Sequence, residues 1–145
     1  MREHAGEARY SLLETVRQYA AARLRADEDA AAIDGLRERH ARYYLRRANA
    51  ADAALHGAHQ LPALMELDAE HDNLRAALTW SLDTKDATLA LNLCRALGRF
   101  WSLRGHHSEG RRWIEDALQL DAPTCGIAAH ALTLSGVFAR MQGQH

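Results

Sequence analysis

The run Cys94-Arg95-Ala96-Leu97-Gly98-Arg99-Phe100-Trp101-Ser102-Leu103-Arg104-Gly105-His106-His107-Ser108-Glu109-Gly110-Arg111-Arg112-Trp113-Ile114-Glu115-Asp116-Ala117-Leu118 decides the fold. Ahead of Gly105, the residues Leu89, Leu93, Ala96, Leu97, Phe100 and Trp101 recur at helical spacing. Beyond it, Gly110, Trp113, Ile114, Ala117 and Leu118 line an inner face. Arg111, Arg112, Glu115, Asp116 and Gln119 occupy the opposite face. Gly105 permits the turn between the two. The reading is an antiparallel helical hairpin. Gly98 and Gly110 let its helices approach closely, and Trp101 and Ile114 fill the space between them.

Composition extends that reading to the whole chain. Of 145 residues, Ala supplies 29 and Leu 21, whereas Val and Ile together supply 5. Strands draw on β-branched and aromatic side chains, and Ala, Leu, Arg and Glu favour helices. The expected class is therefore all-α. A hydrophobic content of 48% is too high for a disordered chain. No apolar run approaches the roughly 20 residues of a membrane span, and no apolar signal core follows Met1. Cys94 and Cys125 are not in a CxxC pair, which predicts free thiols in a reducing cytoplasm. A net charge of −1 argues against a dedicated nucleic-acid binder.

Periodicity predicts helices over 13–26, 30–55, 60–83, 86–104, 108–120 and 126–141. A weak alternation at Ala8–Leu12 is the one strand-like stretch. Ile33, Leu36, His40, Tyr43, Tyr44, Ala48, Ala51 and Leu55 are assigned to one face of the second helix. In the third, Asp72-Asn73 marks a kink or a fresh N-cap. Pro123 ends the fifth helix. Three parts are expected: 1–26, then linker helices over 27–85, then paired helices over 86–145.

Cys94-x2-Leu97-Gly98-x2-Trp101, Gly110-x3-Ile114 and Pro123 follow the tetratricopeptide pattern. A second copy begins at Ser135-Gly136-x2-Ala139, with Gly136 38 residues after Gly98. Leu97, Gly98, Trp101, Gly105, Gly110, Ile114, Ala117 and Gly136 are the expected repeat-packing residues. Together they predict antiparallel hairpins stacked as a tetratricopeptide-like right-handed superhelix.

Three stretches carry a wider resemblance. They are Arg9-Tyr10-Ser11-Leu12-Leu13-Glu14-Thr15-Val16-Arg17-Gln18-Tyr19-Ala20, Glu70-His71-Asp72-Asn73-Leu74-Arg75-Ala76-Ala77-Leu78, and Leu103 to Trp113. In this order the chain resembles bacterial STAND-type ATPases that act as transcriptional regulators, including LuxR-type regulators and relatives with an NB-ARC-like module. The resemblance implies an upstream ATP-binding module and a winged-helix piece, of which residues 1–26 are a remnant. It implies linker helices, then tetratricopeptide-like repeats with the last incomplete. The chain has no GxxxxGK[ST] loop, so ATP hydrolysis by the family's route is not expected of it.

Other constellations are weaker. His56-x2-His59 and His106-His107 invite a metal, but Gly57 interrupts the first pair and no second pair has ligand spacing. Glu66, Asp68, Glu70 and Asp72 read as a solvated acidic face. Arg39, Arg42 and Arg46 form a basic contact stripe beside Tyr43 and Tyr44. Trp80, Trp101 and Trp113 read as core. Leu132, Leu134, Val137 and Phe138 are expected to include exposed apolar positions that favour self-association. The function expected is a non-catalytic cytoplasmic scaffold and sensor segment, with no metal or cofactor. Its expected partner is a protein, a peptide or the ATPase module. Two alternatives stand beside it: a small metal-binding or hydrolytic protein using His, Asp and Glu, and a nucleic-acid contact through the arginine stripe.

Overall fold

The computed structural model describes residues 13–19, 30–121 and 126–143. Among them every regular element is an α-helix and no strand occurs. Helix α1 covers residues 13–19. It is followed by α2 (Ala30–Leu55), α3 (Gln60–Ala69), α4 (His71–Asp83), α5 (Ala87–Arg104), α6 (His107–Leu118) and α7 (Gly126–Gly143). The strand-like stretch Ala8–Leu12, the rest of the first helix, Pro123 and Cys125 lie outside the described residues. Contacts divide the chain into two compact units, Met1–Glu38 and Arg39–His145. In the first, Arg17 pairs with Glu14 one turn away at 3.4 Å, and Ile33 is buried.

In the second unit, α2 buries Ala41, Tyr44, Ala48, Ala51 and Leu55, spaced alternately three and four residues apart. That spacing keeps one narrow stripe on the core. Two residues expected on it are displaced. Tyr43, one position before Tyr44, is turned off the stripe and exposed. Leu36, in the first unit, is also exposed. Ala41, too small to stand out in the sequence, takes a core place.

The expected helix over 60–83 is two helices. The break falls at Glu70 (φ −98°, ψ 9°), two residues before Asp72-Asn73. Leu67, Leu74 and Leu78 still face the core on either side of it. Asn73 does not cap a helix through its side chain; it is buried and its amide donates to Glu70 Oε2 at 2.7 Å.

The connection to α5 turns at Lys85 (φ 57°). Asp86 then caps α5, its carboxylate accepting from the Leu89 N–H at 3.0 Å. Helix α5 buries residues on nearly every side, including Leu91, Leu93, Cys94, Leu97, Phe100 and Trp101. Each large apolar side chain so buried contributes about 1.5–3 kcal/mol. The core of this unit draws on both sides of the turn at residues 84–86. At the far end Gly105 adopts φ 74°, and the His106 N–H bonds the Trp101 carbonyl at 2.8 Å. This left-handed cap reverses the chain into α6.

Helix α7 packs on α5 and α6. It buries Ala131 and Phe138. Phe138 therefore leaves the group expected at the surface: it is fully buried, because Gly110 leaves room for its ring. Leu134 is half-buried over Gly98, whereas Leu132 is 62% exposed.

Candidate functional site

The most concentrated polar cluster in the described residues joins α4 to α6. Helix α4 supplies His71, Asp72 and Arg75 along one side. Helix α6 supplies Glu109 in its first turn, where a carboxylate favours the helix dipole. Arg75 donates two bonds to Glu109, Nε to Oε1 at 2.6 Å and Nη2 to Oε2 at 2.8 Å. This fork geometry is the strong form of an ion pair. Arg75 also reaches Asp72 Oδ1 at 3.3 Å, and the Trp113 indole donates to Glu109 Oε1 at 3.3 Å. His71 Nε2 lies 3.4 Å from Glu109 Oε1 without hydrogen-bond geometry. Its ring stands edge-on to Phe100 at 5.4 Å and 5.1 Å from His106.

The electrostatics follow from this packing. Arg75's hydrogen bond holds the Glu109 carboxyl down at about 2. The same bond raises Arg75. Burial lowers His71, Arg75 and His106 lower it further, and Glu109 pulls the other way. Glu109 is thus an ionised acceptor with three neighbours, Arg75, Trp113 and His71, suited to holding two helices together. Burial, helped by Asp116, pushes the Cys94 thiol up to about 12. It is an inert core residue.

Sequence reasoning missed the Arg75–Glu109 pair. Its residues do lie within two of the three stretches that carried the family resemblance.

The acidic run is also more than a solvated face. Glu66 pairs with Arg47 across α2 and α3, and Asp68 with Arg104 at the end of α5. Glu70 accepts from the Tyr44 hydroxyl at 3.0 Å. Arg47 also donates to Tyr43 Oη at 2.9 Å.

Of the basic stripe, Arg39, Arg42 and Arg46 are all exposed. Arg42 Nη2 lies 3.7 Å from Asp86 Oδ2. Trp101 is fully buried, while Trp80 and Trp113 are partly buried against the core.

The repeat-packing positions fall into distinct environments. Leu97, Trp101, Ile114 and Ala117 are buried. A Cβ on Gly110 would stand 2.7 Å from Trp101 Cε3 and 2.9 Å from Phe138 Cε2. A Cβ on Gly98 would stand 2.7 Å from Leu134 Cδ1, so its close neighbour is α7 rather than α6. Gly105 is held by its backbone conformation alone, with nothing within 4 Å of a Cβ. Gly136 has open space there and makes no close approach.

Helix α2 stops at Leu55, so His56 and His59 share no helical face. His56 faces Asp52 at 3.7 Å. Among the described residues no three His, Cys, Asp or Glu side chains are grouped to hold a metal. No helix there is long and apolar enough to cross a membrane.

These features define a helical protein built from short hairpins tied by polar pairs. The chain is similar to mycobacterial proteins named "Putative HTH-type transcriptional regulator", from Mycobacterium tuberculosis and Mycobacterium bovis. Each is 36% identical over 114 residues, which is 79% of this chain and 12% of the relative. The chain thus spans about an eighth of the length of the curated relatives it matches. No family model matches, and no solved structure matches.

Proposed function

We propose that the chain is a non-catalytic helical-repeat segment of a STAND-type, LuxR-like transcriptional regulator that acts in the cytoplasm. It serves as scaffold and sensor arm, with its hairpins stacked in a tetratricopeptide-like superhelix. Its partners are a protein or peptide, or the ATPase module of an intact regulator. The observation that carries this reading is the Arg75–Glu109–Trp113 cluster. A bidentate ion pair backed by an indole couples the linker helix α4 to the hairpin helix α6. A rigid joint there lets a partner bound on the hairpins bias what lies ahead of the linker. Similarity to proteins named as transcriptional regulators supports the regulatory setting.

A segment exchange tests it. The matching 114 residues of this chain replace their counterpart in the Mycobacterium tuberculosis relative, and transcription from a responsive promoter is measured. Retained regulation is the expected result. Regulation that persists unchanged when the segment is deleted would overturn the reading.

A further inference from the structure

The arginines of α2 and α5 come together on one outer face. Asn49 Oδ1 of α2 accepts from Arg95 Nη2 of α5 at 3.0 Å, and Arg42 of α2 meets Asp86 at the start of α5 at 3.7 Å. These two contacts set Asp86 level with Arg42 and Arg95 level with Asn49, so the row Arg42–Arg46–Asn49 on α2 is continued by Arg95–Arg99 on α5, each row spaced by one helical turn. Arg46 and Arg99 are exposed and have no ion pair or hydrogen bond within the described residues. Two acids lie along these rows: Asp86, which caps Leu89 and meets Arg42, and Asp52, 3.7 Å from His56. The face therefore sets four guanidinium groups against two carboxylates, a net positive charge in a protein whose total charge is −1.

We propose that this face, Arg42, Arg46 and Asn49 on α2 with Arg95 and Arg99 on α5, is a docking surface for an acidic segment of a partner protein. The guanidinium fork matches a carboxylate in two hydrogen bonds. Asn49 and the engaged Arg42 and Arg95 order the rows, leaving Arg46 and Arg99 to receive the ligand. The near-neutral total charge favours a carboxylate-bearing peptide over nucleic acid, whose binders carry a general basic excess. The proposal rests on the scaffold reading and gives its partner a chemistry.

Fluorescence anisotropy of labelled poly-L-glutamate, titrated with the full chain at low salt, tests it. The double variant R46E/R99E is compared with R112E, a reversal on the exposed outer side of α6. Binding by the wild-type chain, weakened about tenfold in R46E/R99E and little changed in R112E, is expected. Circular dichroism of the variants shows that their helices are intact. Absence of binding, or equal weakening in both variants, overturns the proposal. So does tighter binding of a DNA duplex through the same two arginines, which assigns the face to nucleic acid. A chain that passes the segment exchange but fails here loses only its acidic partner, not its scaffold role.

Discussion

Helices α5 and α7 are both 18 residues long, yet α5 buries eleven residues and α7 two. Composition predicts the reverse. Helix α5 carries Arg95, Arg99 and Arg104, whereas α7 carries one charged side chain, Arg140. The difference is one of place. Helix α5 contacts helices before and after it, and α7 is the last described element and packs on α5 and α6 from one side. In stacked hairpins, burial is set by how many neighbours a helix has, and amphipathicity follows only where a face is left to water.

The strongest way to break this comparison is to remove one aromatic from each helix. Trp101→Ala is expected to cost about 3–5 kcal/mol in urea unfolding, lost from the whole second unit. Phe138→Ala is expected to cost a similar amount, but to speed amide exchange in α7 while α5 stays protected. Loss of protection in both helices together would show that α7 is not a separate layer.

Gly110→Ala places a Cβ against the Trp101 and Phe138 rings and is expected to cost about 1–3 kcal/mol. Gly98→Ala meets only the flexible end of Leu134, and the gain in helix propensity offsets most of the strain. Its midpoint in urea should lie much nearer wild type than that of Gly110→Ala.

The polar joint supplies a third test. Glu109→Gln should cost about 1–2 kcal/mol at neutral pH. Glu109 titrates at about 2 when folded and near 4.5 when free, so its contribution is complete above about 4.5 and is lost as pH falls toward 2. His71 is lowered by burial, so the unfolded chain takes its proton first, and a further loss begins as pH drops below 6.5. A series of urea midpoints across pH should lose its lower limb in Glu109→Gln and its upper shoulder in His71→Gln.

The smallest effect has the opposite sign. Gly136→Ala faces open space on α7 and is expected to stabilise by about 0.5–1 kcal/mol, visible as a raised melting temperature.

The hairpin was legible because its signals are local. Gly105 sits between two apolar stripes, and a left-handed turn there needs no distant partner. The bounds of α2 and the buried row of α5 follow from spacing in the same way. The break at Glu70 was displaced because Tyr44, 26 residues away, and Asn73 bind its carboxylate. Arg75 and Glu109 were hidden for a like reason: each lies in a charged run whose members are equivalent until the fold selects one. The two glycines related by spacing show the limit of repeat reasoning. Gly98 has a neighbouring helix to receive, and Gly136 faces open space in the described structure.

The side-chain ties between successive hairpins have one consequence for how the chain forms and fails. Arg75–Glu109, Asp68–Arg104 and Ser108–Gln142 link residues 34, 36 and 34 apart. Every loop they close is therefore short, and closure costs little more for the last tie than for the first. Assembly can begin at any hairpin and spread to its neighbour, which places the chain among fast folders of low contact order. Under tension from its two ends the same layout gives way in steps, one tie and one hairpin at a time.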